Sequence, residues 1–528
     1  MEIQNNFVTF ATNFKTNDTM KKLKFACIAI LMAAAETALA GGLLTNTNQN
    51  ISFLRNPARD AAIGIDGVYY NPAGVVFLGE GIHLSLNMQN AHQTRTIETG
   101  FPLFINNADN PGLQLHKFKG EADAPVIPSL QAAWNKGKWS FQFNFAITGG
   151  GGKCEFDNGL GSFEQVVASM PVTMIPVGGT AMPIDEVMNT LYGKIAGLPG
   201  MSQHQMGKGY SYDSYMRGRQ YYYGFTLGAA YKVTENLSVY GGARMLYGSS
   251  NYYGYVKNIR VEHIENGQSQ MVEASKHFSE LSSQLSYYAG QMDNRGQAQE
   301  AAQLKAGATL AQGLAVNTQD IELNCDQTGW GIAPIIGVDY KLGKLNLAAK
   351  YEFKTRMRLK NKSANSESAA NISMLDKYAD GAKVAEDSPA LLTVGAQYEI
   401  IPSLRVMAGW HHYFDVDTKQ YTKAMLSDTN ELLAGAEYNI NKYVEVSAGV
   451  QKTEYNQNDV MMNDISYNVS SWSFGLGVGV KVAKNMKVNA AYFQTNYEDY
   501  NKVEPQIKTT NCFTRTNRVI GLGLDVTL

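Results

Sequence analysis

At 528 residues the chain exceeds what one ordinary soluble core holds, so either several domains or one large barrel is expected. Charged residues are only 17% and the formal net charge is −2, which leaves no basic footprint for a phosphate backbone and excludes nucleic acid as a partner. Glycine (50) and tyrosine (30) are plentiful and proline (14) is sparse, a mix suited to long twisted strands with aromatic rims. A mean hydropathy of −0.25 fits a membrane barrel, because only alternate residues of such a barrel meet lipid.

The N-terminus reads as an address. Met20-Lys21-Lys22 gives a positive start, residues 25–35 are a short apolar run, and Ala38-Leu39-Ala40 supplies the small residues of a cleavage site. The pattern predicts a Sec signal peptide over 1–40, cleaved before Gly41, with residues 1–19 a start assigned too far upstream. The run is shorter than the ~18–20 residues that a membrane helix needs. No later stretch of the sequence is long and apolar enough either. An exported chain without helical spans is periplasmic, secreted or an outer-membrane barrel.

Residues 41–78 show no sustained alternation and mix Asn46, Asn48, Asn50 and Asn56 with Ala61-Ala62 and Gly64. Their apolar content and immediate junction to the first strand predict a plug inside a lumen. In VYYNPAGVVFLGEG (68–81), Pro72 fixes its own φ and pushes Asn71 towards extended geometry, while the Asn71 amide is suited to satisfying backbone groups in a tight loop. A rigid joint of this kind ends a plug and starts a barrel.

From residue 79 onward, period-two alternation dominates. Phe225, Leu227, Ala229 and Tyr231 share one face, and after a polar turn Leu237, Val239, Gly241 and Ala243 share the next. The pattern recurs at Trp330–Tyr340 with Leu345–Phe353, at Leu392–Tyr398 with Leu404–Trp410, at Leu432–Tyr438 with Val444–Val450, and at Trp472–Val480 with Met486–Tyr492. Opposite faces carry Asn346, Lys350, Glu352 and Lys354, or Arg405 and His411, or Ser473, Gly475, Gly477 and Gly479, so the inward side is polar or very small. Tyr231, Tyr340, Tyr398 and Tyr438 stand just before short turns, as an interfacial girdle requires.

About fourteen strands result, near 80–95, 127–135, 138–148, 219–233, 236–257, 327–342, 344–360, 389–401, 403–417, 430–440, 442–455, 469–483, 485–499 and 513–528. Long outer loops are expected at about 96–126, 149–218, 258–326 and 361–388. The predicted fold is therefore an all-β, antiparallel, transmembrane outer-membrane β-barrel of a Gram-negative cell, with both chain termini on the periplasmic side. The last strand alternates Ile520, Leu522, Leu524, Val526 and Leu528, a pattern that barrel-assembly machinery reads, although Leu528 replaces the usual terminal aromatic.

With the signal peptide, the plug, the Asn71-Pro72-Ala73 triplet ahead of strand one and the strand count in place, the mature chain (41–528) resembles the FadL/TodX family of outer-membrane transporters for hydrophobic compounds. GGLLTNTNQN (41–50), VYYNPAG (68–74) and GGGGKCEFDNGLGSFE (149–164) carry the resemblance. It implies that Asn71, Pro72 and Ala73 belong to a hatch closing the lumen. It further implies capture of long-chain fatty acids or similar molecules in an apolar groove above the lipopolysaccharide, and exit sideways through a gap at the kinked third strand, driven by the ligand's own gradient. A monomer in outer-membrane lipid, without cofactor, is the family expectation.

Candidate residues follow. Phe278, Leu281, Leu285 and Tyr288 recur at helical spacing, as do Ala301, Leu304, Ala308 and Ala311, so two amphipathic helices are expected to form a collecting groove, to bury their faces together, or both. Phe163, Val166, Val167 and Met170 make a similar patch. Gly149, Gly150, Gly151 and Gly152, followed by Lys153, do not have phosphate-loop spacing, and they suit either a plain loop start or a flexible exit from strand three that bends the wall. His411 and His412 point to opposite faces of one strand and cannot share a metal; His411 is either a haem ligand or a satisfied lumen residue. Cys154, Cys325 and Cys512 allow at most one disulfide. No nucleophile, base and orienter share a recognisable spacing, so neither enzyme activity nor a metal is expected. The alternatives to hydrophobic transport are a haemin or porphyrin receptor on the same scaffold and an adhesive or structural surface barrel.

Overall fold

The computed structural model describes residues 45–528 apart from 178–179, 197–202, 371–372, 420–426, 456–457, 460–461 and 466. The expected signal peptide (1–40) and residues 41–44 lie outside the described residues.

Fourteen antiparallel strands run round a closed barrel. The circuit begins with β1 (Gly81–Gly100), β2 (Leu115–Lys136), β3 (Trp139–Phe156), β4 (His204–Lys232) and β5 (Leu237–Glu265). It continues with β6 (Ile321–Leu342) and β7, which comes in two pieces, Leu345–Glu352 and Arg358–Ser363. The strands β8 (Ala390–Ile401), β9 (Leu404–Phe414), β10 (Thr429–Asn439), β11 (Val444–Glu454), β12 (Ser471–Ala483), β13 (Met486–Tyr497) and β14 (Thr509–Thr527) complete it. Each strand pairs with the next, and β14 returns to β1 in a register running from His83 opposite Thr527 to Gly100 opposite Thr510. Backbone bonds of 3.0 and 2.8 Å between Ile82 and Leu528 seal the seam. Closure satisfies ladder groups that lipid cannot.

Side-chain polarity is inverted relative to a soluble protein. Leu86, Met88, Leu227, Trp330, Ile332, Leu432 and Leu522 are exposed on the outside, while Asn87, Gln131, Asn144, Asn346 and His411 are buried inside. A sandwich would bury the first set, so the outer belt faces lipid. Trp134, Trp139, Tyr340, Tyr398, Tyr438 and Tyr443 are exposed beside the short turns and form the girdle at that rim.

Several strands outrun their expected limits. β2 starts at Leu115 rather than near 127, β4 at His204 rather than near 219, and β5 ends at Glu265 rather than near 257, so the loops shrink to 101–114, 157–203 and 266–320. The cause is a change of environment along each strand. Above the belt the outward face meets water and carries Lys117, Lys119 and Glu121, while the inward face turns apolar at Ile97, Phe118 and Phe513. The hydropathy alternation thus reverses sense. β7 also departs from the expected continuous strand, since residues 353–357 break it and keep one bridge, between Thr355 and Ser388.

Residues 45–78 fill the lumen. Asn50 caps a short helix, α1 (Ile51–Arg55), by accepting from the Ser52 N–H at 2.8 Å, and its amide donates to Gln131 on β2 at 2.9 Å. Ile51, Phe53 and Leu54 pack with Phe493 and Val519 of the wall, and Phe53 stacks on Tyr70 at 5.4 Å. The small inward residues of β10 and β12 make room for this: a Cβ on Gly435 would run into the Asn56 side chain, and one on Gly475 into the Leu54 carbonyl.

Over the opposite mouth sits a cap built from α2 (Gly161–Ser169), α3 (Ile184–Ala196), α4 (Ala274–Asn294) and α5 (Ala298–Asn317). The last two form an antiparallel pair turning at Gly296, with the Ser282 hydroxyl donating to the Ala308 carbonyl at 2.7 Å.

Candidate functional site

Asn71, Pro72 and Ala73 bolt the end of the luminal segment to three strands near the short-turn rim. Asn71 Nδ2 donates to Asp339 Oδ2 on β6 at 2.6 Å, and its Oδ1 accepts from the Gly74 N–H at 3.1 Å. Gln142 of β3 donates to the Pro72 carbonyl, and Ser238 of β5 to the Ala73 carbonyl, both at 2.7 Å. All three barrel partners are buried.

A second set of anchors is ionic. Arg59 binds Asp66 through Nε at 2.7 Å and pairs through Nη1 with Glu437 of β10. Arg55 reaches Glu445 of β11 at 2.5 Å, and Arg405 bridges Glu437 and Glu445 at 2.9 and 2.8 Å. Asp60 lies 2.9 Å from His411 Nε2, whose Nδ1 lies 2.8 Å from Glu431. Both ring nitrogens therefore face carboxylates, and neither is left for a porphyrin iron. Arg55 and Arg59 carry no signal in the sequence, because single arginines in an irregular segment have no periodicity to mark them.

The wall itself is incomplete at one place. β2 and β3 pair from Leu130–Lys136 against Trp139–Phe145, and again at Gly120-Glu121 against Glu155-Phe156. No ladder joins 122–129 to 146–154. Two features of the sequence account for the break. Pro125 and Pro128 on β2 have no N–H to donate. On β3, Gly150 (φ 99°) and Gly152 (φ 75°) take left-handed conformations, and the register with β4 slips twice between Ile147 and Gly152. A Cβ on Gly150 would also strike the Gln220 backbone. The prolines are the sequence signal that the glycine run alone did not give.

The luminal segment covers this gap from within. The Asn46 N–H donates to the Thr148 carbonyl at 2.9 Å, Asn46 Nδ2 to the Gly150 carbonyl at 3.0 Å, and Gln49 Nε2 to the Ile147 carbonyl at 2.9 Å. Carbonyls that β2 leaves unpaired are thereby satisfied by residues 46–49. Beside them lies a cavity of about 190 Å³ bordered by Thr45–Gln49, Gly150–Lys153 and Arg515. Arg515 stands directly opposite Arg95 across the β1–β14 ladder, and neither makes an ion pair with a carboxylate among the described residues.

Above the segment the lumen is lined by Ile97, Phe118, Phe156, Leu160, Tyr252, Tyr467 and Phe513. Higher still, the cap has its own apolar core, and there Phe278, Leu281 and Leu285 are buried, with Tyr288 packed at its edge. The helical pair predicted from their spacing is present, but its apolar faces meet one another and α3 rather than lining an open groove. Val167 and Met170 join the same core. Exposed apolar side chains around the cap include Ile105 and Leu113 on the β1–β2 connection, Leu115 at the start of β2, Met174, and Tyr287 and Val316 on α4 and α5. Cys154, Cys325 and Cys512 are all free thiols.

A closed barrel with an apolar outer belt, an aromatic girdle and a filled lumen defines a transmembrane β-barrel of the outer-membrane class. Residues 364–524 match the outer membrane protein beta-barrel domain family. In fold the chain is similar to a Pseudomonas aeruginosa FadL homologue, with a TM-score of 0.56 at 10% identity over 92% of this chain and 100% of that one. It is also similar to the P. putida toluene transporter TodX, with a TM-score of 0.50 at 14% identity over 88% of this chain and 94% of that one. No curated protein matches it in sequence. At these identities the likeness is one of fold.

Proposed function

We propose that this barrel carries hydrophobic molecules with an anionic head, of the long-chain fatty acid type, across the outer membrane of a Gram-negative cell. The observation that carries the reading is the break between β2 and β3 closed only by residues 45–49, next to an apolar upper lumen. A ligand collected on Ile105, Leu113 and Leu115 descends past Phe118 and Phe513 to the cavity at Gly150–Lys153. Residues 45–49 then withdraw as a hatch, while Asn71, Pro72 and Ala73 hold its far end, and the ligand leaves sideways into the bilayer down its own gradient. Arg95 and Arg515 support an anionic head group, because two adjacent guanidiniums with no ion pair to a carboxylate among the described residues favour a bound anion.

The test is to mend the wall. Replacing Pro125 and Pro128 together by threonine restores two N–H donors and lets β2 pair with β3. Uptake of labelled oleate by cells carrying Pro125→Thr/Pro128→Thr is expected to fall several-fold while the barrel still shows the heat-modifiable mobility of an assembled protein. Unchanged oleate uptake in an assembled variant sinks the lateral route, and uptake of toluene without oleate would replace the anionic ligand by a neutral hydrocarbon.

A further inference from the structure

Three of the chain's eight histidines meet at the outer end of β4 and β5, far above the lipid belt. His204 on β4 stands directly opposite Glu265 on β5, and His263 lies two residues back from Glu265, so all three side chains share one face of the ribbon. His204 Nδ1 is 3.1 Å from His263 Nε2. One ligand atom from each of His204, His263 and Glu265 lies within 4.8 Å of the others. His277, from α4, brings its ring centroid to 4.4 Å from that of His263, and its Nε2 lies 2.5 Å from the Tyr192 hydroxyl on α3.

A hydrogen-bonded histidine pair is the simplest account of the 3.1 Å contact, and one further observation exceeds it. His263 is buried and its second ring nitrogen, Nδ1, has no hydrogen-bond partner among the described residues, so the pair alone does not satisfy the ring. In a tetrahedral zinc site with bonds of ~2.0–2.1 Å, neighbouring donor atoms stand about 3.3 Å apart, close to the separation of the two imidazole nitrogens. Two imidazoles and one carboxylate are a donor set suited to zinc-class divalent cations, not to calcium or magnesium.

We propose that His204, His263 and Glu265 form a zinc-class divalent metal site at the outer rim, with its fourth corner open towards His277. Such an ion pins the outer ends of β4 and β5 together directly beside α3 and α4, whose Tyr192 and His277 pack against the His263 ring. The site stands apart from the luminal route and does not depend on the transport reading. In sequence, His263-x-Glu265 is its trace: two donors on one strand face, separated by one residue, with the third, His204, 59 residues earlier.

The full-length mature barrel, purified without a polyhistidine tag and stripped with chelator, is to be titrated with zinc chloride and desalted before metal analysis. One zinc per chain is expected, with at least a ten-fold loss of affinity in His263→Ala and in the isosteric Glu265→Gln. His92→Ala, on the exposed face of β1, serves as the control that leaves uptake of zinc unchanged. Should His263→Ala fail to assemble, Glu265→Gln alone decides. Retention of no zinc by the wild-type chain, or equal zinc in the assembled Glu265→Gln variant, overturns the site.

Discussion

Replacing Arg59 by methionine tests whether the luminal segment is held by charge. Arg59, Asp66 and Glu437 are all nearly excluded from water, with side-chain exposures of 6%, 3% and 5%. Removing one member of a buried ion pair costs ~3–5 kcal/mol, chiefly because the partner stays buried and uncompensated. Glu437 keeps Arg405 at 2.9 Å, whereas Asp66 has no other ion pair among the described residues, so the lower end, about 3 kcal/mol, applies. The ladder of the barrel does not involve Arg59, so the cost falls on the seated state of residues 51–74. At ~1.4 kcal/mol per decade this raises the displaced population about 100-fold. Hydrogen exchange of the amides of 51–74 in the detergent-solubilised protein reads that population directly. In Arg59→Met/Asp66→Asn, where the stranded carboxylate is neutralised, much of the protection should return. Exchange in Arg59→Met within a factor of about three of wild type, with the barrel assembled, would refute the ionic anchoring.

Two further outcomes follow from the packing of the segment. In Gly475→Val a branched side chain meets the Leu54 carbonyl, and overpacking of this kind costs ~1–3 kcal/mol; cells carrying it should become more sensitive to a large polar antibiotic, and unaltered sensitivity would count against a close seat at β12. Asn71→Ala removes the 2.6 Å bond to Asp339, which keeps its bond from Asn346 at 2.8 Å, so a loss near ~1 kcal/mol is expected, seen as roughly five-fold faster exchange at residues 71–78. Equal exchange in the variant would make the triplet a passive linker.

The barrel is legible wherever one face of a strand meets lipid. Leu227 and Trp330 announce the outside by apolarity, and Asn346 and Glu352 announce the inside by polarity, so strand number and sense follow from period alone. The outer halves of β2 and β4 are not legible in the same way, because there Phe118 and Met216 point inward and the outer face is wetted, which reverses the hydropathy contrast. The candidate site divides similarly. Asn71-Pro72 stands out because proline and asparagine restrict local geometry, and the glycine run at 149–152 because nothing else tolerates its backbone. Arg55, Arg95 and Arg515 acquire meaning only from partners hundreds of residues away, as with Arg55 and Glu445, and Arg59 joins the nearby Asp66 to the distant Glu437; no local pattern encodes such distances.

The 29-residue lengths of β4 and β5 carry a consequence for the cell surface. At ~3.3 Å per residue and a tilt near 40°, each strand rises about 70 Å, against an apolar belt of about 25 Å. The upper wall is thus a chimney standing roughly 40 Å clear of the bilayer. Under the transport reading proposed above, a hydrophobic ligand meets the top of this chimney well before it reaches the bilayer, and the cap helices α2 to α5 crown the rim that it meets.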